Sequence, residues 1–324
     1  MMRTAAILTS MALLMASIGA AIPAQSESLK ELSIQATIPR SGYSMAFGFG
    51  SLWMMSEGRL TRINPADNSV IDIDIPSGEG GTLLADGDKY RGIAIGEGGV
   101  WVPDVGNSVI YKIDPQTNAV TLTIPTFIVG SAGNIGVGAG SIWVVTFESH
   151  DKTLTRYNPD TGVQEALIPL PRPCRGVVVD FGKVWVAAAS SPELYVIDPQ
   201  ANRVATTIAI HAPSHLLTSG IGSIWIGYDS EGLVQGVDGG LLQVKVSIET
   251  GVTDMESDGD ITTSRGYIWM INRSSIVAQI DPETASLAGL YRPPTGTLMG
   301  RRISFGDGSL WISGRSVFRV KPPD

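Results

Sequence analysis

Apolar residues along this chain fall in short runs, each closed by glycine, proline or an Asn/Asp turn. Residues 92–124 are representative. Gly92-Ile93-Ala94-Ile95 leads through Glu97-Gly98 into Val100-Trp101-Val102, and Val109–Ile113 leads through Asp114-Pro115 into Val120–Ile124, where apolar residues alternate with threonine. Segments of this length, rich in Val, Ile and Thr, predict four short antiparallel strands. No stretch sustains a helical period, so an α-solenoid and an α/β fold are excluded.

The pattern repeats. Tryptophan stands at 53, 101, 143, 185, 225, 269 and 311, at intervals of 48, 42, 42, 40, 44 and 42 residues. Three residues before each comes glycine (Gly50, Gly98, Gly140, Gly182, Gly222, Gly266, Gly308), and immediately before each comes Leu, Val or Ile. The glycine predicts a tight hairpin needing positive φ. A second turn is marked by Asn64-Pro65, Asp114-Pro115, Asn158-Pro159, Asp198-Pro199 and Asp281-Pro282, where an Asx-turn and a fixed φ end the third strand, and weakly by Lys321-Pro322, which keeps only the proline. The fifth unit departs, with Ile248-Glu249-Thr250-Gly251 read at that place.

A four-stranded unit of roughly 40–50 residues is a propeller blade. The expected fold is therefore all-β: a seven-bladed β-propeller of four-stranded blades. Each tryptophan is expected to pack one blade on the next. The seventh unit stops after its third strand, while Leu32–Pro39 reads like a fourth strand, so the N-terminal strand should close the last blade.

Residues 1–24 read differently. Arg3 precedes the almost wholly apolar Ala5–Ala21, small residues follow to Ala24, and the first acid is Glu27, which is a secretory signal pattern cleaved after Ala21 or Ala24. The run is short for a membrane span, and no other stretch approaches ~18 apolar residues. A single propeller domain at 25–324, periplasmic or secreted, monomeric and with no membrane contact after cleavage, is the expectation.

Composition narrows the chemistry. The formal charge is −8 with no basic run, which argues against nucleic acid as a partner. One cysteine, Cys174, excludes an internal disulfide and multi-cysteine zinc modules, and three histidines leave little for a metal centre. No metal ligands and no cofactor are evident from the residues.

The pattern Gly-x-Gly-Ser-aliphatic-Trp, at Gly138–Trp143, Gly220–Trp225 and Gly306–Trp311, with Ile113–Thr117 and Ile280–Thr284, resembles the virginiamycin B lyase (streptogramin lyase) group and related secreted propellers with YVTN-type repeats. The resemblance covers about residues 32–322 and implies a seven-bladed propeller. In that group two histidines entering inner strands and a glutamate past a blade tryptophan carry elimination with Mg2+, opening cyclic ester antibiotics. Here the resemblance assigns His215, after Pro213-Ser214, to one histidine; Gly259 and Asn272 occupy the other two places. Mg2+ is implied only if that activity is shared.

Ten residues before each tryptophan lies the entry of an inner strand, at one mouth of the channel. These positions hold Tyr43, Arg91, Gly133, Arg175, His215, Gly259 and Arg301. Asp104, Thr146, Tyr228, Asp229, Asn272 and Arg315 end second strands on the same face, with Arg172 and Arg302 beside the ring. Converging guanidinium groups suit a bidentate carboxylate or phosphate, so Tyr43, Arg91, Arg175, Arg301, Tyr228 and Asn272 are candidate ligands for a small anion. His215 is a candidate proton carrier. The alternative is that the arginines pair with Asp104, Asp180 or Asp260 and that the propeller is a non-catalytic platform for a protein partner. Extra sequence at 77–89, and a long second-to-third connection read at 229–240, fall on this same face. Cys174, beside Arg175, is a further candidate nucleophile; His150-Asp151 with Glu148 could touch a cation.

Overall fold

A computed structural model of the chain describes residues 29–42, 44–56, 59–76, 92–104, 107–126, 135–147, 152–253, 259–297 and 299–323. Seven sheets, each a four-stranded antiparallel blade and one of them extended by a short fifth strand, follow one another around a ring, forming a β-propeller. Blade 4 shows the unit: Cys174–Asp180 lines the channel, and Lys183–Ala188, Glu193–Asp198 and Arg203–Ala209 follow outwards in order. The expected leader at 1–24 lies outside the described residues.

The ring closes as the sequence predicts. Ser33–Ile38 pairs antiparallel with Val317–Lys321, from Ser33 opposite Lys321 to Ile38 opposite Val317, with one register shift between Ile34 and Ala36. One step earlier, Lys30–Glu31 pairs parallel with the outer strand of blade 6, Ser286–Arg292, where Arg292 meets Glu31 at 3.2 Å. The N-terminal segment thus holds both blades 6 and 7.

The hairpin glycines behave as required, with φ between 67° and 88° at all seven positions. In six blades the residue before the glycine is left-handed too, from Glu97 at 45° to Ala139 and Phe181 at 53°. Two successive left-handed residues make the tight turn that matches strand twist. Blade 6 differs: its turn runs Ser264 to Tyr267, with only Gly266 at positive φ.

All seven tryptophans are at most 1 % exposed, and each joins a core cluster between its own blade and the next. Their indole N–H groups are equally regular. Each donates five residues back, to the carbonyls of Gly48, Gly96, Gly138, Asp180, Gly220 and Gly306, and in blade 6 to the Ser264 hydroxyl. Five of those acceptors are glycines because the next blade leaves no room there. A Cβ on Gly138 would stand 2.9 Å from Val179, and one on Gly306 only 1.9 Å from Phe47.

Third strands carry a device not read from the sequence. Arg62, Lys112, Arg156 and Arg319 lie over Trp53, Trp101, Trp143 and Trp311, 4.8 to 5.2 Å from the ring centroids. Each then donates to a proline carbonyl in the next blade's Asn/Asp-Pro turn: Arg62 to Pro115, Lys112 to Pro159, Arg156 to Pro199 and Arg319 to Pro65.

Blade 5 corrects two expectations. Its third strand is Leu233–Asp238, so the second-to-third connection is short and does not extend over 229–240. The turn after it is Asp238-Gly239-Gly240-Leu241, not Ile248–Gly251: Asp238 Oδ1 accepts the amides of Gly240 and Leu241, closing the same Asx-turn without proline. Ile248 and Glu249 belong to the outer strand.

Candidate functional site

Antiparallel order puts the entry of every inner strand, and the exit of every second strand, at one end of the ring. The two kinds of hairpin turn lie at the other. Of the seven entry positions, Tyr43, Arg91 and Gly133 fall outside the described residues. Arg175 is half-buried on Cys174–Asp180, and His215, also half-buried, precedes Leu216–Gly220 in the next blade. These entries run close together, since a Cβ on Gly176 would stand 3.3 Å from the His215 carbonyl oxygen. Arg301 lies on Met299–Gly306, where the pairing register shifts between Met299 and Arg302.

Between blades 5, 6 and 7 the mouth is cross-linked by buried and half-buried polar groups. Asp229, fully buried, accepts the Gly259 amide at 2.7 Å. Asp260 accepts the amides of Ile261 (2.9 Å) and Ile303 (3.0 Å), and Arg302 Nη1 donates to the Gly259 carbonyl at 2.8 Å. Burial pushes the Asp260 carboxyl above the ordinary aspartate value of 3.8, against the lowering pull of the Arg302 charge and the two amides. Gly259 is enclosed in this lattice: a Cβ there would lie 2.2 Å from the Ile271 carbonyl oxygen and 2.8 Å from Asp229. No larger residue fits.

The other candidates have structural partners. Tyr228 is 3 % exposed in the core between blades 4 and 5, with its hydroxyl 3.4 Å from Gln235 Oε1 and its ring edge-on to His211. Burial pushes its phenol up to about 12. Asn272 is equally buried, and its Oδ1 accepts the Ile276 amide at 2.8 Å to close a hairpin. Tyr228 and Asn272 are thus each engaged within their own blade, by Gln235 and by the Ile276 amide. Asp104 is engaged by Asn107, and Asp180 caps Phe181.

Cys174 is not an activated nucleophile. It is 2 % exposed, its thiol donates to the Arg172 carbonyl at 3.2 Å, and burial, reinforced by the Glu193 charge, pushes it up to about 12. Arg172 turns outward to Glu193 at 3.0 Å. His150, Asp151 and Glu148 lie outside the described residues. One pair escaped the sequence reading: His211 Nε2 stands 2.6 Å from Glu231 Oε2, joining two loops of this face. Nothing in the spacing of His211 and Glu231 signals that contact.

The class defined by this geometry is a seven-bladed propeller with a cationic residue or histidine at several inner-strand entries. No family model matches the chain, and no curated protein matches it in sequence. Among solved structures it is similar in fold to one described as a streptogramin B lyase (16 % identity, 90 % of this chain and 96 % of that one, TM-score 0.69). It is similar also to virginiamycin B lyase from Staphylococcus aureus (12 % identity, 91 % and 99 %, TM-score 0.65). A chain of the mitotic checkpoint complex matches as well (8 % identity, 98 % and 99 %, TM-score 0.69). At these identities the likeness is one of architecture.

The Mg2+ implied by the resemblance to the lyases can be tested against the residues in its place. Gly259 has no side chain to offer, and the Asn272 oxygen already holds the Ile276 amide. These residues do not fit a magnesium ion.

Proposed function

We propose that this chain is an exported propeller that binds a small anion at the mouth where the inner strands of blades 4 to 7 begin. The observation that supports it most is one of register: Arg175, His215 and Arg301 occupy equivalent entries, with Arg175 on the inner strand of blade 4 and His215 directly before that of blade 5. Arg302 and Asp260 form a second, charge-balanced layer at the blade 6–7 entries. Guanidinium groups fixed on rigid strands are preorganised for carboxylate or phosphate oxygens. Arg91 and Tyr43 complete the ring in sequence. The lyase reading within this function rests on the shared architecture and on His215 as the proton-carrying group.

The test is a screen of dicarboxylates, sugar acids, phosphorylated metabolites and cyclic ester antibiotics, read by thermal shift and by substrate loss. Arg175→Ala and Arg301→Ala should each weaken the same ligand roughly ten- to a hundredfold with the melting temperature nearly kept. His215→Ala separates the subclasses: a proton-transfer role gives a rate loss of about 10²–10⁴ with binding retained, and a binding role gives only weaker affinity. Arginine variants that destabilise the fold, with no ligand found, would refute the anion site.

A protein-platform reading has support of its own on the opposite, turn-bearing face. Leu241 is 71 % exposed in the blade 5 turn, beside the exposed Val244, while Phe181 lies against Gly239.

A further inference from the structure

The four third-strand cations differ in one respect. Lys112 has Asp160 at 3.5 Å, Arg156 has Glu165 at 3.0 Å and Arg319 has Asp307 at 2.9 Å. Arg62 has no carboxylate partner among the described residues. Its Nε donates to Ser51, and its Nη1 donates to the Pro115 carbonyl and to Asn118 Oδ1. All three acceptors are neutral, and Nη2 remains for a further acceptor.

Neither acid has a counterpart in blade 1. Asp307, which pairs Arg319, is the hairpin-tip residue four before Trp311, and the same position before Trp53 is Phe49, 45 % exposed. Glu165, which pairs Arg156, is the extra residue of a bulge on the outer strand of blade 3, where Arg156 faces Ala166; blade 1 has no such bulge, and Arg62 faces Ile71, 48 % exposed. Clefts open on both sides of the guanidinium. One, of about 600 Å³, runs between Phe49 and the Asp114-Pro115-Gln116 turn of blade 2; the other, of about 330 Å³, reaches Ile71. Asp114 shares the larger cleft, but its Oδ1 is turned into the amides of Gln116 and Thr117.

A partly buried cation without a counter-charge, flanked by exposed apolar side chains in an open cleft, has one complementary ligand type. We propose that the groove between blades 1 and 2, on the turn-bearing face, binds a small organic carboxylate with an apolar body. The carboxylate sits on Arg62, where it supplies the charge that Asp307 and Glu165 supply in blades 7 and 3, and the apolar body lies on Phe49. Blade 4 is the internal contrast: Phe181 occupies the same tip, but Val196 stands where the cation would be, and the ring leans on Gly239 instead. This site lies at the other end of the ring from the proposed anion mouth.

The decisive variant is Phe49→Asp, which gives blade 1 the tip acid of blade 7. The tip is left-handed, at φ 47°, a region aspartate enters more readily than phenylalanine, so the fold should be kept or strengthened. Titration calorimetry on the full chain would use 3-phenylpropanoate, with 3-phenylpropanamide and acetate as controls. The acid should bind at least ~10-fold tighter than either control, and Phe49→Asp should lose at least ~10-fold while its melting temperature is unchanged or higher. Arg62→Gln should lose binding too, while Arg175→Ala with Arg301→Ala should leave it intact. Wild-type affinity in Phe49→Asp, or equal binding of acid and amide, overturns the proposal; so does loss of binding in the Arg175/Arg301 variant, which would move the ligand to the mouth.

Discussion

Blades 7, 1, 2, 3 and 4 are fastened to one another differently from blades 4, 5, 6 and 7. In the first arc a cation stacks on the tryptophans of blades 7, 1, 2 and 3 and reaches the next blade's turn, so the strap lies at the turn-bearing end and is partly open to water. In the second arc the residues opposite Trp185, Trp225 and Trp269 are Val196, Gly236 and Gln279, and no such strap exists among the described residues. Between blades 5, 6 and 7 fastening is denser on the channel side, where the first arc has the Ile93 amide donating to Ser44 Oγ: Asp229 to the Gly259 amide, Thr263 to the Ser219 carbonyl, Asp260 to the Ile303 amide and Ser275 to the Met299 carbonyl. Hydrogen bonds made by buried groups are directional and costly to break, so they fix the mouth more tightly than solvated cations would. The candidate residues Arg175, His215 and Arg301 stand in this second arc.

Breaking the ring between the arcs should have the largest effect. Blade 7 belongs to both, and its outer strand is Ser33–Ile38. A chain starting at Gly42 loses that strand, its core residue Ile38 and the Lys30–Glu31 pairing on blade 6, leaving two open sheet edges. Thermal unfolding followed by tryptophan fluorescence should lose cooperativity or end in aggregation. A melt identical to that of a chain that keeps residues 29–41 would mean that the arcs hold together without closure.

Asp229→Ala comes next. It removes the acceptor of a fully buried amide between blades 5 and 6, and an orphaned buried donor costs roughly 1–3 kcal/mol. Urea midpoints should fall accordingly, and Asp229→Asn, which keeps an acceptor oxygen, should recover part of the loss. An unchanged midpoint for Asp229→Ala would show that the mouth is not a fastening point.

The two arcs were unequally legible. Repeats signal what every blade shares, so the tryptophans, the hairpin glycines and the closing strand could all be read from spacing. The cation strap was hidden because Arg62, Lys112, Arg156 and Arg319 are ordinary surface types in sequence, and only the pairing opposite tryptophan reveals their role. Blade 5 misled because Asp238-Gly239 closes its turn without the proline that marks the other blades. At the mouth, register placed Arg175 and His215 correctly in the chain path. Tyr228 and Asn272 stand at second-strand exits, and the position of a strand end does not carry their partners Gln235 and Ile276, which are local to each blade.

In the first arc, Arg156→Ala removes a stacked cation and its bonds to Pro199 and Asn202. A loss of roughly 1–2 kcal/mol is expected from a partly exposed stack and its hydrogen bonds. Lys in its place should keep the proline contact, as Lys112 does in blade 2. If Arg156→Ala melts like wild type in urea, the straps are ornaments of the surface and the arcs do not differ in this way.

The smallest effect concerns acid. Asp238 and Asp281 close the turns of blades 5 and 6, and both carboxyls lie below the ordinary 3.8: Asp238 through the Leu241 and Gly240 amides, Asp281 through the Thr284 hydroxyl and then the Glu283 and Thr284 amides. A carboxyl depressed in the fold contributes stability that is present above the unfolded value and lost as pH falls through the lower folded one. Blade 3 closes the same turn with Asn158, whose amide oxygen accepts the same bonds without titrating, whereas the Asn64 turn of blade 1 also carries Asp67, held low by the Ser69 hydroxyl and amide. Acid should therefore loosen the turns of the second arc before that of blade 3. The paired change Asp238→Asn with Asp281→Asn should leave the melting temperature at neutral pH nearly unchanged and flatten its decline below about pH 4. The converse change, Asn158→Asp, should steepen that decline. Identical acid limbs in all three proteins would place the loss of stability elsewhere, with Asp72 the next carboxyl to examine, since the Arg40 guanidinium holds it low as well.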